Sequence, residues 1–286
     1  MKNIYNIFSY LIVALVLSSC SLESKVYNDI NSGMFPKNEK DAEALVTGAA
    51  YGPFRSNYYD GIFTVASGGI QTISDMSTDI GDCQWNDEIW SDVIMQNFRP
   101  TSSGVIRFYD YRRDITRMTK TFARIKPVAM SEEKLNLFNA ELHMGRGWLA
   151  YLLYDMYGPV PIATEQDLEN PLNDNSIARP SKDDMVQYIE TELLSAIKYL
   201  PAKYDAGSTM YGRFTSGLAY TVLLKLYMHE GEWTKAIEVG RELMKPEYGY
   251  QLVPQYKDIF TLENEKNNEI IFAAQCSRAV NKQLWL

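Results

Sequence analysis

The chain is poor in the residues that build most catalytic centres and cross-linked folds. It has three cysteines and two histidines in 286 residues. Exported proteins that rely on disulfides use more cysteine, in even number. Cys83 and Cys276 are left as two buried thiols or, less simply, one long-range pair. His143 and His229 lie far apart, and a packed or surface role suits both. No H-E-x-x-H, C-x-x-C, glycine-rich phosphate loop or G-x-S-x-G occurs. Basic residues are also short, 28 against 36 acids, for a net charge of −8. That balance argues against nucleic acid, which selects basic patches. Long apolar runs are missing too. After residue 20 nothing approaches the roughly 20 apolar residues of a spanning helix.

The one apolar run is at the start. Lys2 precedes a largely apolar stretch from Ile7 to Leu17, and Leu17-Ser18-Ser19-Cys20 closes it. A short basic head, a short apolar centre and small residues at a boundary read as a secretory signal. The boundary resembles a bacterial lipobox, which implies cleavage before Cys20 and acylation of that residue. A multiply acylated cysteine anchors far more firmly than one chain alone. The competing reading is a secreted protein with a chance cysteine there. Cleavage would remove Lys2 and no acid, so the exported body would be one charge more acidic.

What is plentiful is hydrophobic and aromatic: 46% hydrophobic residues, with 20 tyrosines and five tryptophans. That composition supports a sizeable core. Residues 21–38 read as a polar leader. From Glu39 a helix face recurs through Ala42, Leu45, Val46, Ala49, Ala50 and Phe54. Residues 56–104 read as irregular. A helical run follows from about Gly104 to Lys126, before Pro127. Ser131 caps the clearest helix, with Leu135, Phe138, Leu142, Gly145, Leu149, Leu152 and Met156 on one stripe and Gly158-Pro159 as its stop. Gly145 and Gly147 each cost such a helix roughly 1 kcal/mol against Ala, so packing must hold it. Ser181 caps a further helix over 182–200. Two last helices, about 213–230 and 232–245, are separated only by Gly231. So short a loop makes them antiparallel neighbours, and their small residues follow the logic of tetratricopeptide units. The fold class is therefore mostly α, a tetratricopeptide-like scaffold of helical pairs with irregular loops.

Four stretches carry a resemblance. In "AELHMGRGWLAYLLYDMYGPVPIATE", Ala140, Glu141, Arg146, Trp148, Tyr151, Tyr157, Gly158, Val160 and Pro161 match, in order, the signature of the SusD/RagB family of Bacteroidota outer-membrane lipoproteins. "RPSKDDMVQYIETELLSAIKYLP" (179–201), "GRFTSGLAYTVLLKLYMHEGEWTKAIEVG" (212–240) and "YKDIFTLENEKNNEIIFA" (256–273) resemble later family motifs, and the lipobox fits. The resemblance implies a signal over 1–19, a lipidated leader over 20–38 and a partial SusD-like helical domain over 39–286. Family members run well past the last motif, so the sequence reads as C-terminally truncated. It also implies a lipid-anchored binding protein on the outer face of the outer membrane, with no catalytic residue and no cofactor. Such a protein captures an oligosaccharide, or in some members a peptide, and delivers it to a SusC-like TonB-dependent transporter. A secreted helical glycan hydrolase is the alternative; it would need two carboxylates at a set separation, which composition neither supplies nor excludes.

The best local candidate for ligand contact is "SDMSTDIGDCQWNDEIW", residues 74–90. It offers Trp85, Asn86 and Trp90 beside Asp75 and Asp79, with Asp82, Asp87 and Glu88. An indole face stacks on the apolar side of a sugar ring, while amides and carboxylates take its hydroxyls. The competing reading places both tryptophans in the core of a capping loop. The acid spacing does not match a calcium loop. Tyr58 and Tyr59 are weaker candidates of the same kind, whereas Tyr151, Tyr154 and Tyr157 read as packing residues.

Overall fold

The computed structural model describes residues 35–55, 61–63, 69–84, 88–102, 109–169 and 176–275. Among them every regular element is helical. The first helix, α1, is Glu39–Val46; Asn38 caps it by accepting from the Asp41 amide at 3.0 Å, and Glu39 and Asp41 sit favourably in its first turn. It runs on through a wide turn, Thr47–Tyr51, and a tight one, Gly52–Phe54. Ala42, Val46, Ala49, Ala50 and Phe54 are all buried, as their spacing requires.

Two short helices stand where the sequence reads as irregular: α2, Ile70–Met76, and α3, Glu88–Ile94. Neither is long enough to show a repeat. The residue before α2 is Gly69, which offers no side-chain cap. Ile73 and Val93 nonetheless reach the core, so tertiary burial makes these helices rather than local signals. The next helix, α4, covers Arg112–Ile125, within the expected run from Gly104 to Lys126, of which residues 104–108 lie outside the described residues.

The spine is α5, Glu132–Tyr157, capped by Ser131, whose hydroxyl accepts from the Lys134 amide at 3.2 Å. It ends at Gly158, at φ 68°, which donates back to the Tyr154 carbonyl at 2.8 Å. The helix is covered on several sides, by α4, by α7 (Lys182–Ile197) and by α8 (Ser216–Glu230), with a one-turn α6 (Glu165–Leu168) between α5 and α7. Its two glycines are explained by those neighbours. A Cβ on Gly145 would stand 2.7 Å from Met118 Sδ and 3.1 Å from the Ala50 carbonyl oxygen. One on Gly147 would stand 2.9 Å from Leu193 Cγ. Each glycine lets a different neighbour approach α5, and that close packing offsets its conformational cost.

Helix α8 is capped by Thr215, which accepts from the Leu218 amide at 3.1 Å. It ends in a Schellman turn: Gly231 at φ 74° donates to Met228, and Glu232 donates to Tyr227 at 2.8 Å. The chain then turns straight into α9, Trp233–Leu243, which packs along α8 as the short loop demands. The expected pairing of α5 with α7 and of α8 with α9 is what the structure has. Beyond α9 come irregular chain and two 3-10 turns, Tyr256–Phe260 and Leu262–Asn264. No helix among the described residues is long and apolar enough to cross a membrane.

Candidate functional site

Signature residues that look chemically useful turn out to brace the scaffold. Glu141, fully buried on α5, accepts from Tyr51 Oη and from Arg213 Nε and Nη2, each at 2.7 Å. The third arm of Arg213 reaches Glu43 at 2.8 Å, and the Tyr51 hydroxyl accepts from the Phe214 amide at 3.0 Å. One carboxylate thus ties α1, the wide turn, α5 and the start of the α8 segment together. Burial alone would lower the Arg213 pKa, but its hydrogen bonds to Glu141 more than reverse that. Burial, then the Glu141 charge, pushes the Tyr51 phenol well above its usual value. A second brace forms one turn and more along α5. Glu192 of α7 accepts from His143 Nδ1 at 2.9 Å and pairs with Arg146 at 3.0 Å, and Arg146 also donates to Tyr188 Oη at 2.9 Å. His143 is therefore a packed, paired histidine. These groups are saturated by one another, and little of their chemistry is left for a ligand.

The candidate loop lies between α2 and α3. Thr78 donates to the Asp75 carbonyl at 2.7 Å, and Gly81 passes so close that a Cβ there would stand 2.5 Å from the same oxygen. Gln96 at the end of α3 donates to the Ser77 carbonyl at 2.9 Å, pinning the loop from its other side. On α3, Asp92 accepts from Ser102 at 2.7 Å and from Arg99 at 2.8 Å, and those bonds hold its carboxyl below the usual range. The start of the loop is thus tied to the end of α2 and to the residue pair after α3.

The residues singled out there fare differently. The Asp75 carboxylate is already engaged by the Gln71 amide at 2.9 and 2.8 Å. Asp79 is exposed on the loop, next to an almost fully exposed Ile80. Trp90 is on α3, not on a loop, and is 8% exposed. Trp85 and Asn86 lie outside the described residues, as do Cys20, Tyr58, Tyr59 and Cys276. Cys83 is half-buried on the loop. Tyr151 and Tyr154 are buried and Tyr157 is half-buried, in keeping with packing; burial, then the Asp155 charge, pushes the Tyr151 phenol up to about 12.

A second concavity was not legible in the sequence. The segment after α7 and the segment after α9 enclose a cavity bordered by Tyr204, Tyr211, Tyr248, Tyr250, Asn268 and Phe272. Its tyrosines are spread from residue 204 to 250, so no local motif announces them; the only signal is the high tyrosine content.

Comparison with known proteins places this architecture. The SusD-like family, described as starch-binding and associating with the outer membrane, matches residues 29–228. A SusD-like protein of Formosa agariphila is 24% identical over 155 residues, covering 54% of this chain and 28% of that protein. Among solved structures, a SusD superfamily protein of Bacteroides vulgatus superposes with TM-score 0.69 at 24% identity, over 83% of this chain and 50% of that one. A laminarin-binding SusD-like protein gives TM-score 0.67 at 26% identity, over 83% and 51%. Surface glycan-binding protein A of Bacteroides thetaiotaomicron, solved in complex with laminarihexaose, gives 0.67 at 19% identity, over 84% and 50%. The chain spans about half the length of these structures and a smaller share of the curated relative. Members of the family are carbohydrate-binding proteins and not enzymes. With the match running from residue 29 to residue 228 and the helical scaffold shared, the chain belongs to the SusD-like family.

Proposed function

We propose that the protein is a lipid-anchored glycan-binding protein of the outer membrane, facing the cell exterior, which captures an oligosaccharide and delivers it to a SusC-like TonB-dependent transporter. The observation that carries this reading is the family match together with the 26% identity to a laminarin-binding relative of the same fold. In this reading Cys20 takes the lipid and residues 21–38 are the leader. The 75–90 segment meets the sugar through Trp85, Asn86 and Asp79. Asp75 and Trp90 have less to offer it, since one is engaged with Gln71 and the other is enclosed.

Calorimetric titration with laminarihexaose, maltohexaose and cellohexaose tests the binding. Micromolar to millimolar affinity for one of them is expected, weakened about ten- to a hundredfold by Trp85→Ala; base–aromatic stacking, at roughly 1–3 kcal/mol per ring, sets the scale by analogy. Binding of a peptide panel with no glycan bound would replace the glycan reading by the peptide one. Labelling with palmitate tests the anchor: it should be present in the wild type and absent in Cys20→Ala, and an unlabelled wild type refutes it.

A further inference from the structure

We infer that the solvent face of α4 is a membrane-docking surface, which sets the body against the anionic phosphate headgroups of the leaflet that holds the anchor. The inference rests on the lipid-anchor reading above and adds an orientation to it. The chain is acidic overall, but α4 is not. Arg112–Ile125 carries five basic residues and one acid, and Lys126 follows directly. Every other helix among the described residues is neutral or acidic when histidine is uncharged. In α7, for instance, one lysine stands against four acids.

The basic residues are gathered on one face. Arg113, Arg117, Lys120 and Arg124 follow one another at steps of four, three and four, which keeps them on a single stripe. At 1.5 Å per residue the stripe is about 16 Å long. Arg113 and Arg117 are 70% and 62% exposed, and Lys120 is exposed. On the opposite side Ile115 and Met118 are buried, and Phe122 meets His143 and Arg146 of α5. Arg113 lies 3.5 Å from Asp110 and Arg117 lies 3.0 Å from Asp114. Exposed pairs of this kind are weak, so both guanidinium groups can turn to another anion. Lys120 has no ion-pair partner among the described residues.

Charge, range and shape together select the occupant. Each Lys or Arg held at an anionic leaflet strengthens attachment roughly fivefold. That gain fades within a Debye length, about 8 Å at physiological salt. The acids of α7 lie beyond the opposite side of α4, where Glu192 pairs with His143 and Arg146, so they offset little of it. The stripe stands on the convex outside of a helix, whereas small ligands, sugars included, are taken into concavities. A row of cations on a ridge fits a broad, flat anionic surface instead. Helix α4 also packs against α1, the helix that the proposed leader enters, so the stripe belongs to the part of the body next to the anchor. A lipid and a basic patch are two attachments to one surface, and the first raises the effective concentration of the second.

The test uses the full chain carrying Cys20→Ala, which has no acyl group, and measures sedimentation with vesicles of phosphatidylcholine alone or mixed with phosphatidylglycerol. The expected result is binding to the mixed vesicles that weakens as salt rises. Adding Arg113→Gln/Arg117→Gln/Lys120→Gln should lower that affinity about a hundredfold. The melting temperature should barely move, because Gln suits an exposed helix position as well as Arg or Lys does. Lys120→Gln alone should lower affinity about fivefold and guards against a misfolded triple variant. The control Lys235→Gln/Arg241→Gln/Lys245→Gln removes the same charge from α9 and its end, and should bind like its parent. Any contribution of residues 1–19 is common to all these chains. Equal losses in the two triple variants would make net charge the cause and overturn the inference. So would a parent that binds neutral and mixed vesicles alike, or a stripe variant that binds like its parent. Titration with hexagalacturonate separates an acidic glycan from a membrane: binding through the stripe to that sugar, with none to vesicles, also overturns the inference. Palmitate labelling reports on the anchor separately. A labelled wild type whose stripe fails these tests keeps its anchor and loses only the orientation, whereas an unlabelled one overturns both.

Discussion

Replacing Arg213 by methionine probes the brace around Glu141 most directly. The substitution removes both hydrogen bonds from the guanidinium to Glu141 and the one to Glu43. Glu43 lies near the surface, with Lys134 4.0 Å away, and its loss is small. Glu141 is fully buried and would keep only the Tyr51 hydroxyl. A buried carboxylate stripped of its cation costs about 3–5 kcal/mol. For a domain of this size each kcal/mol lowers the midpoint by roughly 2–4 °C, so Arg213→Met should melt about 6–20 °C early. The paired variant Glu141→Leu/Arg213→Met removes the stranded charge and should recover part of that loss, because replacing both partners by apolar groups is often near neutral. Urea denaturation of the wild type, the two single variants and the double variant, followed by circular dichroism, gives the cycle. The reasoning is refuted if Arg213→Met costs less than about 1 kcal/mol, or if the double variant loses the full sum of the two singles.

The remaining predictions concern the core, the glycines and the acid limb. Leu149→Asp places an unpaired charge at a fully buried position of α5 and should cost several kcal/mol; a wild-type melting temperature would mean that the core face is wrongly assigned. Gly145→Val should destabilise by about 1–3 kcal/mol, because its Cβ meets the Ala50 backbone as well as Met118; thermal denaturation decides, and a neutral result would show that the Thr47–Tyr51 turn and α4 can withdraw. Glu230 is held below its ordinary pKa of 4.5: burial pushes it up, but hydrogen bonds from Lys182, at 2.7 Å, and Tyr154 more than offset that. Its contribution to stability is therefore complete above that ordinary value and is lost as pH falls through the lower folded one. Lys182→Met should shrink the loss between pH 5 and pH 3, and an identical acid profile for the variant would count against the pairing.

How much of this was legible from the chain differs by element. The caps at Ser131, Ser181 and the turn at Gly231 are local chemistry: a hydroxyl meeting the amide three residues on, or a glycine adopting positive φ, needs no partner from elsewhere. With the apolar stripes between them, they fix α5, α7, α8 and α9 and force the last two to lie antiparallel. The sequence therefore determined the helical class and the main pairings. Helices α2 and α3 were not legible, because seven residues show no full repeat and burial of Ile73 and Val93 creates them. Trp90 read as part of an irregular polar loop, either meeting a ligand or packed in the core, and only packing put it on a helix at 8% exposure. Glu141, Arg146 and Arg213 were visible as motif residues, yet their use as braces depends on partners such as Tyr51, Tyr188 and Glu192, far away in the chain. The tyrosine-bordered cavity is the extreme case. Its residues come from two segments on either side of the α8–α9 hairpin, and no periodicity records a meeting that only the path of the folded chain brings about.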